Sequence, residues 1–331
     1  DPLWSRGLGD VYKRQVVFFA CDGLTGVSAS QVEISSHISF QSGMTSEDIQ
    51  ETMIKAAADL ISEETPNYQL VAGRLITYHL RKQVYGQFEP PVLKEIVDAN
   101  IANDMYDPLL KKWYSEKEFD QLEKWIDHKR DENYTYAAME QFRGKYLVQD
   151  RFTKKVYETP QVALMLIGAT LFHAYPKDTR MQWVKDFYDS VSRFEISLPT
   201  PVMAGVRTSI RQFSSCVLIE SGDSLDSINA TSAAIVKYVS KRAGIGVGGG
   251  NIRAVGSSIN GGHATHTGVI PFYKHFQSAV RSCSQGGVRG GAATLYYPIW
   301  HYEVEDLLVL KNNKGTEDNR IRHMDYGVQF N

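Results

Sequence analysis

SSCVLIESGDSLDSINATSAAIVKYVSKRAG, Ser214–Gly244, changes period partway along. Its first seven residues form a short apolar run with the length and β-branching of a buried strand. A polar break follows at Ser221–Ser224. Apolar residues then recur with helical spacing at Ile228, Ala234, Ile235 and Val239, behind Asp223 and Ser224 as helix-opening residues, and the pattern runs to Gly244. Farther on, AATLYYPIW at Ala292–Trp300 reads as another strand. Strands alternating with a helix predict a parallel α/β unit.

Upstream the texture is helical. Thr45 with Asp48 has the spacing of a capping box, and Ile49, Met53, Ala57, Leu60 and Ile61 lie on one helical face. A second helix is expected over Tyr68–Tyr85, stopped by Gly86 and the break QFEPP. Between Val92 and Phe194 the pattern stays helical, and GKYLVQDRFTKKVYET, Gly144–Thr159, reads as a hairpin inserted among the helices. The opening DPLWSRGLGDVYKRQ fits no periodic template and reads as a non-native flank.

Composition narrows the function classes. The 331 residues suffice for two or three domains, and a net charge of −2 argues against a general nucleic-acid or membrane surface. Any anionic partner must be met locally, by placed arginines and helix ends. No apolar run reaches bilayer length, and the N-terminus lacks the form of a signal peptide. Three scattered cysteines, Cys21, Cys216 and Cys283, make neither a disulfide framework nor a zinc site, which points to the reducing cytoplasm.

Three features in the α/β region suit an anionic ligand. Asp223 and Ser224 open a helix whose first N–H groups form an anion site. GIGVGGGNIRAVGSSINGG, Gly244–Gly262, reads as a glycine-rich loop carrying Arg253. CSQGGVRGGAATL, Cys283–Leu295, carries four glycines around Val288 and Arg289, more than a turn needs, as where main chain approaches a ligand. Cys216 admits two readings. At the end of an apolar strand it is inert core; beside Ser214, Ser215 and Arg211 it is a redox or nucleophilic thiol. Cys283 reads as structural. His263 and His266 in HATH lack further ligands nearby, so no metal site is expected, and no P-loop, nucleophile elbow or carboxylate pair stands out. The residues by themselves support a nucleotide- or phosphate-binding α/β protein.

SLPTPVMAGVRT, RQFSSCVLIESGDSLDSI, IVKYVSKRAGIG, CSQGGVRGGAAT and RHMDYGVQ closely resemble the large, catalytic subunit of class I aerobic ribonucleoside-diphosphate reductase. The resemblance runs from about Asp22 to the last residue. It implies a non-native flank over 1–20, an incomplete helical ATP-cone over 21–88, a helical domain over 89–210, and over 211–331 the first part of a ten-stranded α/β barrel. The reaction it implies replaces the 2′-hydroxyl of a ribonucleoside diphosphate by hydrogen through a thiyl radical, for DNA precursor synthesis. No cofactor is then bound directly, because the radical comes from the metal–tyrosyl cofactor of a partner small subunit.

By position, Thr200, Ser215, Cys216 and Gly244 match substrate-site residues, and Cys216 matches one of two cysteines that reduce the substrate and become a disulfide. Asp223, Ser224, Leu225 and Arg253, with Ser240 on the same helix, match the site for a dNTP specificity effector such as dTTP. Gln285 and Arg289 match the mobile loop between effector and substrate, and Lys82 matches an ATP- or dATP-contacting position. Thioredoxin or glutaredoxin and a homodimer are the further implied partners, with Ile228, Ala234, Ile235, Tyr238 and Val239 expected at the subunit interface. The radical cysteine and second redox cysteine are expected beyond Asn331, so the chain alone is expected to be inactive. VYKRQ lies too close to SQVEI for an intact cone opening, and Asn260 stands where relatives often carry an arginine. Two other readings compete: a nucleotide-binding interaction module, and an adenosylcobalamin-dependent reductase.

Overall fold

A computed structural model describes residues 14–41, 43–285 and 289–331. They fall into two compact units, the first ending at Arg211 and the second spanning Gln212–Asn331. No described helix is long and apolar enough to cross a membrane.

The first unit is helical. Its longer helices are Ala29–His37, Ser46–Asp59, Tyr68–Tyr85, Leu93–Ala102, Glu116–Trp125, Pro160–Phe172 and Arg180–Ser192. Thr45 closes its capping box with Asp48 in both directions, and Gly86 ends Tyr68–Tyr85 in the left-handed region at φ 72°. Pro160–Phe172 is apolar around most of its circumference and correspondingly buried. Tyr68–Tyr85 approaches a neighbouring segment so closely that a Cβ on Gly73 would lie 2.0 Å from the Tyr134 carbonyl oxygen. The same helix sends Arg74 to the Glu132 carbonyl and Arg81 to the His128 carbonyl.

Those hydrogen bonds tie Tyr68–Tyr85 to residues beyond the expected 88/89 boundary, within the one compact unit. Residues 1–13 of the expected flank lie outside the described residues, but 14–21 are helical with Val16, Val17 and Ala20 buried. The hairpin over Gly144–Thr159 reduces to one bridge, Gln149 to Val156. Its expected first strand is partly taken by a π-helical turn, Phe142–Tyr146, while Glu158 turns inward to a buried arginine.

The second unit is built on four parallel strands, β1 (Cys216–Glu220), β2 (Gly244–Gly248), β7 (Ala293–Pro298) and β8 (Asp325–Gln329), lying side by side in chain order. Short antiparallel pairs intervene in sequence, β3 (Ser258–Ile259) with β4 (Ala264–Thr265) and β5 (Ser284–Gln285) with β6 (Arg289–Gly290). One face is covered by helices α1 (Leu225–Ser240) and α2 (Ile270–Arg281), whose Ile228, Ile235, Val239, Tyr273, Phe276 and Val280 share a core with Ile245, Val247 and Leu295. The other face carries Leu218, 81% exposed, with Glu220 and Tyr296.

Much of GIGVGGG is thus strand β2, not loop. Side chains of the neighbouring strand occupy the space the glycines leave: a Cβ on Gly246 would lie 2.5 Å from Leu218 Cδ2, and one on Gly248 1.9 Å from Glu220 Oε2. Helix α1 stops at Ser240, short of Gly244, through Arg242 in the left-handed region at φ 75°. Its residues Ile228, Ile235 and Val239 pack into the chain's own core, so the excess of apolar positions expected for a subunit interface is used internally. Tyr238, 38% exposed, is left outside.

Candidate functional site

The candidate residues of the second unit separate to the two ends of the sheet. At the amino ends, Cys216 opens β1 and pairs in register with Gly244, which opens β2; Gly244 N donates to Ser215 O at 2.7 Å. Parallel pairing thereby brings Ser215, Cys216 and Gly244 together. A Cβ on Gly244 would sit 4.0 Å from Cys216 Sγ, so the glycine leaves the flank of the thiol open. Cys216 is exposed, which overturns its reading as inert core. Arg211, in the N-terminal unit, forms an ion pair with Asp107 and donates to the Thr208 and Ile210 carbonyls. Cys283 packs against the core, consistent with a structural role.

The β5–β6 hairpin enters β7 at the same end of the sheet, with Gln285 opposite Arg289 in register. Gly286, Gly287 and Val288, the centre of the expected ligand-approaching loop, lie outside the described residues. The hairpin's exit is pressed onto α2: a Cβ on Gly291 would lie 2.0 Å from the Val280 carbonyl oxygen.

The carboxyl ends of β1 and β2 carry the other cluster, where ligands of open α/β sheets bind. Ser224 caps α1 by accepting from Ser227 N, and Asp223 accepts from Arg253 N at 2.8 Å and from Arg253 Nε at 2.5 Å. Burial raises the Asp223 carboxyl, but the hydrogen bonds and charge of Arg253 outweigh it and hold the pKa below the ordinary aspartate value. The expected anion site therefore already contains a carboxylate. Arg253 also donates from Nη1 to Ser258 O, which leaves two of its five N–H groups for a ligand. Asn260 stands at φ 55°, a left-handed conformation that asparagine tolerates better than arginine does.

Sequence reasoning missed the supports of this loop. Tyr273 donates its hydroxyl to the Gly249 carbonyl, Asn251 donates to Glu220, and the buried His301 and Glu303 hold main chain on both sides of Arg253. The only signal was the polar HYEVE directly after an apolar strand. Leu225 and Ser240 occupy opposite ends of α1, about 22 Å apart at 1.5 Å per residue. Thr200 opens the short helix Thr200–Gly205, and Lys82 is exposed on Tyr68–Tyr85, both in the N-terminal unit.

Two family models match in tandem: the ribonucleotide reductase all-alpha domain over residues 132–211 and the ribonucleotide reductase barrel domain over 214–331. The chain belongs to the ribonucleotide reductase family. Their junction coincides with the boundary between the two compact units. Among curated proteins, the subunit alpha of ribonucleoside-diphosphate reductase 1 from Escherichia coli is 63% identical over 317 residues, 96% of this chain and 42% of that protein. The Haemophilus influenzae subunit alpha is 62% identical over the same shares. That of phage T4 is 57% identical over 92% of this chain and 41% of its own. The chain thus spans less than half the length of these reductase subunits. The barrel-domain match spans all four parallel strands of the second unit.

Proposed function

We propose that this chain is part of a ribonucleoside-diphosphate reductase large subunit, acting with a radical-generating small subunit on ribonucleoside diphosphates. The observation that carries the reading is the Cys216–Gly244 pair, an exposed thiol at the head of a parallel sheet, within a chain 63% identical to such a subunit. Loss of a 2′-hydroxyl as water consumes two electrons. Cys216 and a second thiol supply them by closing a disulfide, which thioredoxin or glutaredoxin reopens. Among the described residues a Cβ on Gly244 would meet nothing closer than the Ser215 carbonyl oxygen at 3.6 Å, so the glycine leaves room beside Cys216 for a ribose.

The Asp223–Arg253 cluster is read as the site of a dNTP effector, with Ser224 and Leu225 at the helix start. This cluster and the β5–β6 hairpin occupy opposite ends of one sheet, separated by about 13 Å of strand. Ser240 lies at the hairpin's end of α1. A single nucleotide reaches Arg253 together with Ser240 and the hairpin most simply when the latter come from a second copy, which supports a homodimer. Residues 21–88 with Lys82 are read as the ATP-binding cone. A cytoplasmic setting fits three free thiols.

The test is turnover. The complete reading frame, purified with its small subunit, is to reduce CDP with dithiothreitol as reductant, and Cys216→Ser is to abolish multiple turnovers while leaving dTTP binding unchanged. Full turnover by Cys216→Ser, or no reduction by the wild-type pair, overturns the assignment.

A further inference from the structure

Arg253 sits in a segment whose backbone is held almost residue by residue. The Tyr273 hydroxyl donates to Gly249 O at 3.1 Å, and a Cβ on Gly250 would lie 2.4 Å from Pro298 Cδ. His301 Nε2 and Ile252 O are 3.0 Å apart, and Glu303 N donates to His301 Nδ1 at 3.1 Å. Together these two bonds select the neutral imidazole with its proton on Nε2. Beyond Arg253, one carboxylate oxygen closes the loop: Glu303 Oε2 accepts from Val255 N at 2.8 Å and from Val269 N at 3.1 Å. The side chain is buried, at 7% exposure.

Val255 and Val269 are the two feet of the excursion that contains the β3–β4 pair. A carboxylate accepting both N–H groups fixes their separation, and charge-assisted bonds of this kind are the stronger class. Gly268 completes the arrangement. It adopts φ 91°, and a Cβ there would lie 2.6 Å from Glu303 Oε1. A β-carbon there would crowd the carboxylate against its two amides and strain the left-handed backbone. His301 and Glu303 follow β7, the strand entered from the β5–β6 hairpin. The segment that carries the candidate specificity hairpin therefore also carries the clamp on the Arg253 loop.

We propose that Glu303 is a positioning residue for the nucleotide effector site, holding the loop so that Arg253 meets effector phosphate, an inference that rests on the effector reading above. Glu303 touches no ligand itself. Its contribution is to the free energy of presenting Arg253 in one conformation rather than several, a cost otherwise charged against binding.

The experiment uses the full-length subunit with its small subunit, dTTP as the probe, and four variants: Glu303→Ala, Glu303→Gln, Gly268→Ala and Arg253→Ala. Glu303→Ala and Gly268→Ala are expected to raise half-saturating dTTP about tenfold, about 1.4 kcal/mol. The rate at saturating dTTP should stay near wild type, with only a modest fall in melting temperature from the amides left unpaired. Glu303→Gln retains an acceptor oxygen and should restore most of the affinity. If Arg253→Ala weakens dTTP while Glu303→Ala and Gly268→Ala bind it as wild type does, the positioning role is refuted and the effector site stands. If Arg253→Ala leaves dTTP binding unchanged, the effector reading itself falls. A parallel loss of melting temperature and saturating rate in Glu303→Ala and Gly268→Ala makes the clamp merely structural and also overturns the proposal.

Discussion

A buried carboxyl and a partly buried imidazole in the helical unit should oppose each other in acid, and removing either one should expose the other. His128 and Asp131 share the 3₁₀ helix His128–Asn133 and both face Arg81, which donates to the His128 carbonyl at 2.5 Å and lies 3.6 Å from Asp131 Oδ2. Gln161 donates to Asp131 Oδ1 at 2.9 Å. Burial pushes the Asp131 carboxyl from 3.8 up to about 6, against the pull of Arg81. Burial, helped by the same guanidinium, pushes His128 from 6.5 down to about 4. At about 1.4 kcal/mol per tenfold, each displacement is worth about 3 kcal/mol. The signs differ. A raised carboxyl contributes stability that is present below pH 3.8 and lost as pH rises through about 6. A depressed imidazole contributes stability that is present above pH 6.5 and lost as pH falls through about 4. Between these limits the unfolded chain holds the proton on His128 and the folded chain holds it on Asp131, so the pair gives little net pH dependence. Urea unfolding across this window, followed by far-UV circular dichroism, tests it. Relative to wild type, His128→Gln should gain about 3 kcal/mol on going from neutral pH to about pH 4, and Asp131→Asn should lose a similar amount. Profiles parallel to wild type for both variants would refute the reasoning. So would a His128 ring that titrates near 6.5 by NMR.

Two further outcomes follow from buried charge and thiol exposure. Glu158 and Arg207 are both fully buried; Glu158 also accepts from Tyr106 and Val148 N, and Arg207 donates to the Met203 and Tyr146 carbonyls. Arg207→Met strands the carboxylate and should cost about 3–5 kcal/mol, whereas Arg207→Met with Glu158→Gln should cost less than that single change, and simple additivity in the unfolding cycle would refute the coupling. In the native protein, maleimide should modify the exposed Cys216 first and Cys21 last, because burial pushes the Cys21 thiol up to about 11; no Cys216–Cys283 disulfide should form on mild oxidation, and mass spectrometry of either the reverse order or that crosslink would count against the site.

What could be read in the sequence was local. Thr45, Gly86 and Ser224 mark helix ends because capping depends on residues a few positions apart, and the structure places all three as helix termini. The β1–α1 order was legible for the same reason. Pairing across long separations was not. Arg211 lies 104 residues from Asp107 and Arg253 lies 30 from Asp223, so neither arginine revealed that a carboxylate already engages it. Strand β2 was hidden because glycine has no side chain to show a two-residue alternation, and it is strand by virtue of its pairing with β1 and β7. Cys216 and Gly244 could be assigned by resemblance, but their adjacency is a matter of register.

The glycines also divide by what a mutation would strike. Any single-base change that replaces glycine adds at least a β-carbon. On the open sheet face, such an atom at Gly246 or Gly248 meets the ends of Leu218 and Glu220, exposed side chains that rotate aside. At Gly73 and Gly291 it meets the carbonyl oxygens of Tyr134 and Val280 at 2.0 Å, and main chain has no rotamer to yield. Random substitution should thus spare much of the glycine-rich strand that draws the eye and fall harder on positions such as these two, one inside a helix and one at the mouth of β7.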